Sequence, residues 1–418
     1  MAADSTTPST NEFTVNGRTY RPPARPLAVI CIDGCADEYL DSSLAHGRMP
    51  RLARLLESGA FRAMARGALP SFTNVNNSSI TTGVPPSVHG ISGNFFLDPQ
   101  TGEEVMMNSS SYLRCGTILA AAANAGRKVA MVTAKEKLRD ILSHELDGIA
   151  FSAEKADQAR EDTHGISNVE ELVGEGVPEI YSAAASLFVL KAGAALLEQG
   201  RADFLYLSLT DYMQHKFTPE DPKSLDFHEA IDHELGRLLD LGAVVGATAD
   251  HGMNAKQTPA GEPNVIYLES LLAEELGEGV KVILPITDPY VLHHGALGSL
   301  ACVHLSGAIN TRQVIARLLE LDGVTEAYER QVAAQKLELP ADRIGDIVVL
   351  SGRDVVLGRT PEDHDLEAVK DGLRSHGGRY EEMVPFFLSE KINDEYSVRT
   401  GDLRNFDIFE FTSNGSQT

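Results

Sequence analysis

The stretch FLYLSLTDYMQH, residues 204–215, is an apolar run that halts at Asp211 and is followed by His215. A carboxylate and an imidazole at positions i and i+4 share a helix face and suit a divalent cation. Two more apolar runs end in acids, LAVICID at Asp33 and AVVGATAD at Asp250. His251 and Gly252 follow Asp250 directly. Neighbours in a regular strand face opposite sides, so Asp250 and His251 converge only if the chain turns, which glycine permits. Taken singly, each acid also suits the cap of a following helix, and a lone histidine there is usually structural. Taken together, three strand-end acids, two with a nearby histidine, point to a metal centre. Asp and His suit Zn²⁺ without a cysteine cluster.

GALPSFTNVNNSSITTGVPPSVHGISGNFF (67–96) is rich in hydroxyl and amide side chains. Thr73, before Asn74, suits a helix cap. A hydroxyl at a helix start beside metals is equally a nucleophile, because the metal lowers its pKa and the helix amino end favours an anionic phosphorus group. LRSHGGRYEEMVPFF (373–387) places His376 before two glycines, free to approach a site. Lys135 and Lys137 follow the apolar run KVAMVTA. In an extended segment their spacing of two puts both on one side; alone they read as a solvated pair.

The elements that must position these residues alternate. LAVICID, KVAMVTA, DFLYLSL and AVVGATAD read as buried strands. MPRLARLLESG (49–59), YLRCGTILAAAANAG (112–126), YSAAASLFVLKAGAALLEQG (181–200) and FHEAIDHELGRLLDLG (227–242) read as helices. That pattern predicts an α/β fold: a mostly parallel central sheet flanked by helices, with ligands beyond the carboxyl ends of the strands. Residues 1–25 read as a polar tail, disordered over 1–10, and an FTV-NG-RTY hairpin. Residues 26–260 form the first part of the core, and the shorter elements of 261–343 an inserted α+β cap. Residues 344–418 return to the core, with IGDIVVLSGRDVVLG (344–358) pairing near the main sheet.

The 418 residues are 43% hydrophobic, enough for a sizeable core, and carry a formal net charge of −24. That charge and the lack of a long basic run disfavour nucleic acid and anionic membranes. Four cysteines are too few for a disulfide framework and predict a cytoplasmic setting. Cys31 of CIDGC reads as core rather than as half of a redox or metal pair with Cys35. No apolar run is long enough for a transmembrane helix, and the first residues do not form a secretory signal.

VNGRTYRPPARPLAVICIDGC, LPSFTNVNNSSITTGVPPSVHGISGNFF, VTAKEKLR, SLTDYMQHK, TADHGMNAK and SHGG occur in this order between about residues 13 and 387. In them the chain resembles the alkaline phosphatase superfamily, on its nucleotide pyrophosphatase/phosphodiesterase side, and within that the phosphonoacetate hydrolases. The resemblance implies an alkaline phosphatase-like core and two zinc ions per chain. One is held by Asp211, His215 and His376; the other by Asp33, Asp250 and His251, completed by the nucleophile Thr73. Asn94 is implied to bind a phosphoryl oxygen, and Lys135 and Lys137 the substrate carboxylate. The implied reaction is hydrolysis of the C–P bond of phosphonoacetate to acetate and phosphate through a phosphothreonine. The implied partner is thus a small phosphonate, with neither nucleic acid nor membrane, and a homodimer is compatible. Mn²⁺ or Fe²⁺ suits the same ligands. A nucleotide or phosphate-ester phosphodiesterase is the alternative, with Phe95 and Phe96 as candidates for a base slot. A non-catalytic zinc- or phosphonate-binding protein is a third reading, against which stands the presence of Thr73 and every expected ligand.

Overall fold

A computed structural model of the protein describes residues 12–277, 279–288, 295–370 and 372–417; the polar tail of residues 1–10 lies outside them. The apolar runs become strands without an exposed face. β1 (Leu27–Cys31), β2 (Phe61–Arg66), β3 (Val129–Thr133), β4 (Ile149–Ser152), β5 (Phe204–Ser208), β6 (Val244–Thr248) and β7 (Met383–Leu388) form one sheet, in the order β2-β7-β6-β1-β5-β3-β4. The run from β6 to β4 is parallel; β7 is antiparallel to β6 and β2. In β1, β3, β4 and β5 the side chains of both faces are buried, because both faces are covered there. Leu207 packs on Gly193 of a helix over Ala183–Glu198, while Tyr206, one residue earlier, meets Phe409 on the opposite side.

Register decides what the sheet presents. Thr248, Cys31, Ser208 and Thr133 are paired across β6, β1, β5 and β3, so the four strands end level. Asp250, Asp33, Asp211 and Lys135 leave those ends within two or three residues. They emerge side by side, in that lateral order.

The helix α1 (Thr73–Thr82) begins at the hydroxyl-rich segment. It is followed by α2 (Glu136–Leu142), α3 (Ala183–Glu198), α4 (Tyr212–Lys216) and α5 (Pro222–Asp240). Phe13–Val15 and Arg18–Tyr20 form the expected hairpin, with Asn16 and Gly17 at positive φ. The helix expected over 112–126 is confined to Ile118–Asn124, because the Thr117 hydroxyl accepts from the Ala120 N–H and caps it there.

A second, antiparallel sheet has the order Val280–Ile283, Leu300–Leu305, Ile347–Ser351, Val324–Glu329. This corrects the expectation for residues 344–358. Ile347–Ser351 pairs with Leu300–Leu305 and Val324–Glu329, and Val356–Gly358 with Val265–Tyr267, so neither strand joins the main sheet. A short apolar run does not say which sheet it enters. The return to the main sheet is made by β7. Leu69, Phe72 and Val75, around the start of α1, pack into the core of this second sheet. Among the described residues no helix is long and apolar enough to cross a membrane.

Two buried histidines serve the fold. His89 Nδ1 accepts from the Ile91 N–H, so Nε2–H donates to Ser79 Oγ at 2.8 Å. His228 Nδ1–H donates to Ser224 O at 2.8 Å. Burial, aided by Arg343, pushes His89 down to about 3, and burial pushes His228 down to about 4. Both groups bind a proton in the unfolded chain near the ordinary value of 6.5. Their stabilisation is therefore complete above that value and is lost as pH falls towards 4, at up to ~1.4 kcal/mol per pH unit for each histidine. Denaturant titrations between pH 7 and 4 should show this slope, and His228→Gln should reduce it; an unchanged slope would contradict the role given to His228.

Candidate metal and catalytic centre

The level strand ends put three carboxylates and one ammonium into contact. Lys135 Nζ donates to Asp211 Oδ1 at 2.7 Å and to Asp33 Oδ2 at 3.0 Å. Asp33, Asp211 and Asp250 are 0%, 3% and 0% exposed, so their charges need partners within the protein. Burial and Asp211 push the Asp33 carboxyl up, but Lys135 and His251 outweigh them and hold it below its ordinary value. Asp250 moves the other way: burial and its neighbour Asp33 raise it well above the usual carboxylate range. Asp211 occupies the residue before α4, yet its carboxylate makes no cap bond to that helix. Its placement serves the cluster rather than the helix.

The histidines come from three backbone segments and share one device. His215 Nδ1 donates to Arg374 O at 2.7 Å, His251 Nδ1 to Gly252 O at 2.9 Å, and His376 Nδ1 to Ser71 O at 2.8 Å. A carbonyl can only accept, so each ring carries its proton on Nδ1 in these bonds and turns Nε2 towards the acids. His215 Nε2 lies 3.1 Å from Asp211 Oδ2, and His251 Nε2 lies 3.3 Å from Asp33 Oδ1. His251 and His376 stack with ring centroids 3.5 Å apart. Burial, then His251 and His215, push His376 well below its ordinary value, keeping it neutral. Burial lowers His251, but Asp250 and Asp33 prevail and it rises to about 9.

The SHGG loop reaches this position by a close approach. Gly377 has φ +117, and a Cβ there would come within 2.3 Å of the Phe72 ring. Ser71 grips the same loop, accepting from the Gly377 N–H and donating to Gly378 O. Ser71 thus links His376 to the residues just before Thr73. Nothing in the local pattern of LPSFTN distinguishes that serine.

Thr73 is the first residue of α1, 3% exposed, with Oγ1 3.4 Å from His251 Nε2. It follows the N-cap residue Phe72, so the capping alternative for Thr73 does not hold. Asn94 Oδ1 accepts from the Asn74 N–H at 3.1 Å, which leaves its amide hydrogens as donors beside the same helix end. The backbone of Asn94 is held by Pro285 O. A Cβ on Gly93 would lie 2.6 Å from Pro285, so only glycine admits the segment that carries Asp288. Asp288 is buried and paired with Lys137. The extended arrangement expected for the two lysines is replaced by a helix start: Lys135 is the N-cap residue of α2 and Lys137 lies in its first turn. They diverge, one to the strand-end acids and the other to Asp288.

Among the described residues, two groups of side chains have donor atoms close enough to hold an ion: Asp211, His215 and His376, and Asp33, Asp211 and His251. Their nitrogen and oxygen donors fit a divalent transition metal. Asp33 Oδ1 is buried and makes no well-formed hydrogen bond, with His251 Nε2 at 3.3 Å beside it, so it retains lone pairs for an ion. Asp250 lies against the second group. Its Oδ1 accepts from the N–H groups of Gly34 and His251, and its Oδ2 from Asn77 Nδ2 at 3.1 Å. Oδ1 thus uses both of its lone pairs, while Oδ2 keeps one for a further partner. Asn77 is in turn fixed by the Tyr206 and Ser208 hydroxyls at 2.7 and 2.8 Å. This orienting amide, one turn beyond Thr73, has no signature in the sequence.

The chain matches the family described as type I phosphodiesterase / nucleotide pyrophosphatase over residues 27–379. It is similar to the phosphonoacetate hydrolase of Sinorhizobium meliloti 1021, whose structures are in complex with phosphonoformate and with phosphonoacetate. For each the identity is 46%, over 97% of this chain and 99% of that chain, with a TM-score of 0.92. Human ectonucleotide pyrophosphatase / phosphodiesterase 5 is similar at 15% identity over 92% of this chain and 93% of that one, TM-score 0.63, a likeness of fold.

Elemental analysis of the purified protein should find about two transition-metal ions per chain. His215→Ala and His376→Ala should each lower this to about one. Full metal content in both variants would remove Asp211, His215 and His376 as a binding group.

Proposed function

The chain belongs to the type I phosphodiesterase/nucleotide pyrophosphatase family, and from that premise we propose that it hydrolyses the C–P bond of phosphonoacetate to acetate and phosphate. The position of Lys135 carries the choice of substrate. An ammonium has three hydrogens; two are given to Asp33 and Asp211, and the third is available to an incoming carboxylate beside the strand ends. The likeness to a phosphonoacetate hydrolase over nearly the whole chain supports the same choice.

Divalent ions, zinc in this reading, held by Asp211, His215 and His376 and by Asp33, Asp250 and His251 with Thr73, would supply Lewis-acid charge and lower the pKa of the Thr73 hydroxyl. Thr73 Oγ1, its proton released to solvent, then attacks phosphorus in line. The amino end of α1 and the Asn94 amide face the phosphoryl oxygens and stabilise the charge that builds there. As the O–P bond forms, the P–C bond breaks and its electron pair leaves on the methylene carbon. The neighbouring carboxylate delocalises that pair as an enolate-like anion, which Lys135 and Lys137 stabilise. Protonation of the carbon from solvent gives acetate. Water then attacks the phosphothreonine, releasing phosphate and restoring the Thr73 hydroxyl.

Thr73→Ala should retain bound metal and lose turnover to ~10⁻³ of the wild-type rate or less. Lys137→Ala tests the carboxylate more sharply than Lys135→Ala, because Lys135 also neutralises Asp33 and Asp211. Loss of a charge-assisted contact should lower kcat/KM for phosphonoacetate ~10–100-fold while a nitrophenyl phosphate ester loses little. Equal losses on both substrates would sink the carboxylate role. Phosphate release from phosphonoacetate, phosphonopyruvate, 2-aminoethylphosphonate and a nucleotide diester separates this activity from that of a diesterase.

A further inference from the structure

The loops that deliver His251 and His376 are cross-tied by a charge pair wholly removed from solvent. Lys256 and Glu381 side chains are both 0% exposed. Lys256 Nζ donates to Glu381 Oε1 at 2.8 Å and to Arg353 O at 2.7 Å. The same Oε1 accepts from Asn254 Nδ2 at 2.7 Å, while Oε2 accepts from the Gly378 N–H at 3.1 Å. Asn254 follows closely on His251, and Gly378 on His376. One carboxylate therefore holds both loops. Backbone bonds run the same way, from the Gly252 N–H to Glu381 O and between Asn254–Ala255 and Arg374–Ser375.

Stability alone does not account for such a pair. Removing two charges from water is so costly that apolar side chains of similar volume often serve the fold as well or better. What an apolar pair lacks is the directed bonds to Asn254 and Gly378. We propose that Glu381, with Lys256 as its counter-charge, is a positioning residue that fixes His251 against His376 and so sets the affinity of the centre for its divalent ions. The stacking of those two rings is the geometry it preserves. Through Arg353 the same ammonium anchors this node to the turn between Ile347–Ser351 and Val356–Gly358 of the second unit. The inference rests on the metal centre and not on the identity of the phosphonate.

The decisive variant is Lys256→Met/Glu381→Met, which roughly keeps volume and removes both charges together. It should unfold within a few degrees of the wild-type midpoint, yet bind zinc ~10–100-fold more weakly in competition with a chromophoric chelator. Excess zinc should recover part of its turnover of a nitrophenyl phosphate ester, a rescue that a purely structural role does not give. A folded double variant with wild-type zinc affinity overturns the proposal. Should that variant not fold, Asn254→Leu cuts one tether and leaves the ion pair in place; a several-fold weaker zinc affinity supports the proposal and an unchanged one overturns it. No phosphonate enters the titration, so failure of the phosphonoacetate reading leaves these results intact. A wild-type protein that takes up no zinc would instead sink the zinc centre itself.

Discussion

Asp33, Asp211 and Asp250 are buried together, and their mutual repulsion is the constraint around which the centre is organised. Two like charges a few ångströms apart repel by about 4 kcal/mol in a partly polar interior, and desolvation adds to that cost. The protein answers with contacts rather than with solvent. Lys135 spans two of the acids, backbone N–H groups and Asn77 cover the third, and three imidazoles turn Nε2 towards the cluster. The raised Asp250 carboxyl reflects burial and this repulsion, whereas at Asp33 Lys135 and His251 overcome both. A cation bound among them would act on charge already concentrated, which is why the donor set suits a metal.

The main sheet supplies the acids, but the surroundings of Thr73 are made by two units. Phe72 and Val75 belong to the core of the second sheet, and Pro285 of that unit holds the Asn94 backbone. Asp288 comes from the same segment and balances Lys137. The helix that presents Thr73 is therefore wedged between the parallel sheet and the antiparallel one. Its amino end, with Asn94 against it, and Lys135 meet at the strand-end residues, while Lys137 turns to Asp288.

Much of this was legible along the chain. Asp33, Asp211 and Asp250 announce themselves because a buried run that stops at an acid is a local pattern, contained within a few residues. The i, i+4 spacing of Asp211 and His215 and the turn at Asp250-His251-Gly252 are local in the same sense. Ser71, Asn77, Asp288, Lys256 and Glu381 left no such mark. Each is an ordinary polar residue whose partners are distant in sequence, as when Asn77 reaches Asp250 and Lys256 reaches Glu381. The run Ile347–Ser351 misled for a related reason: its composition fits a buried strand of either sheet, and only pairing assigns it.

The sequence by itself determined the residue types of the centre, the strands that end in them and the α/β alternation, because these follow from hydrophobic runs and short-range turns. Tertiary structure decided their lateral order and level, through the pairing of β6, β1, β5 and β3. It also decided that a helix follows directly on Lys135, separating two lysines that an extended chain would have kept together. Strand order and side-chain partners are set by which apolar faces bury against which across the whole chain, and that balance is not written in any one segment.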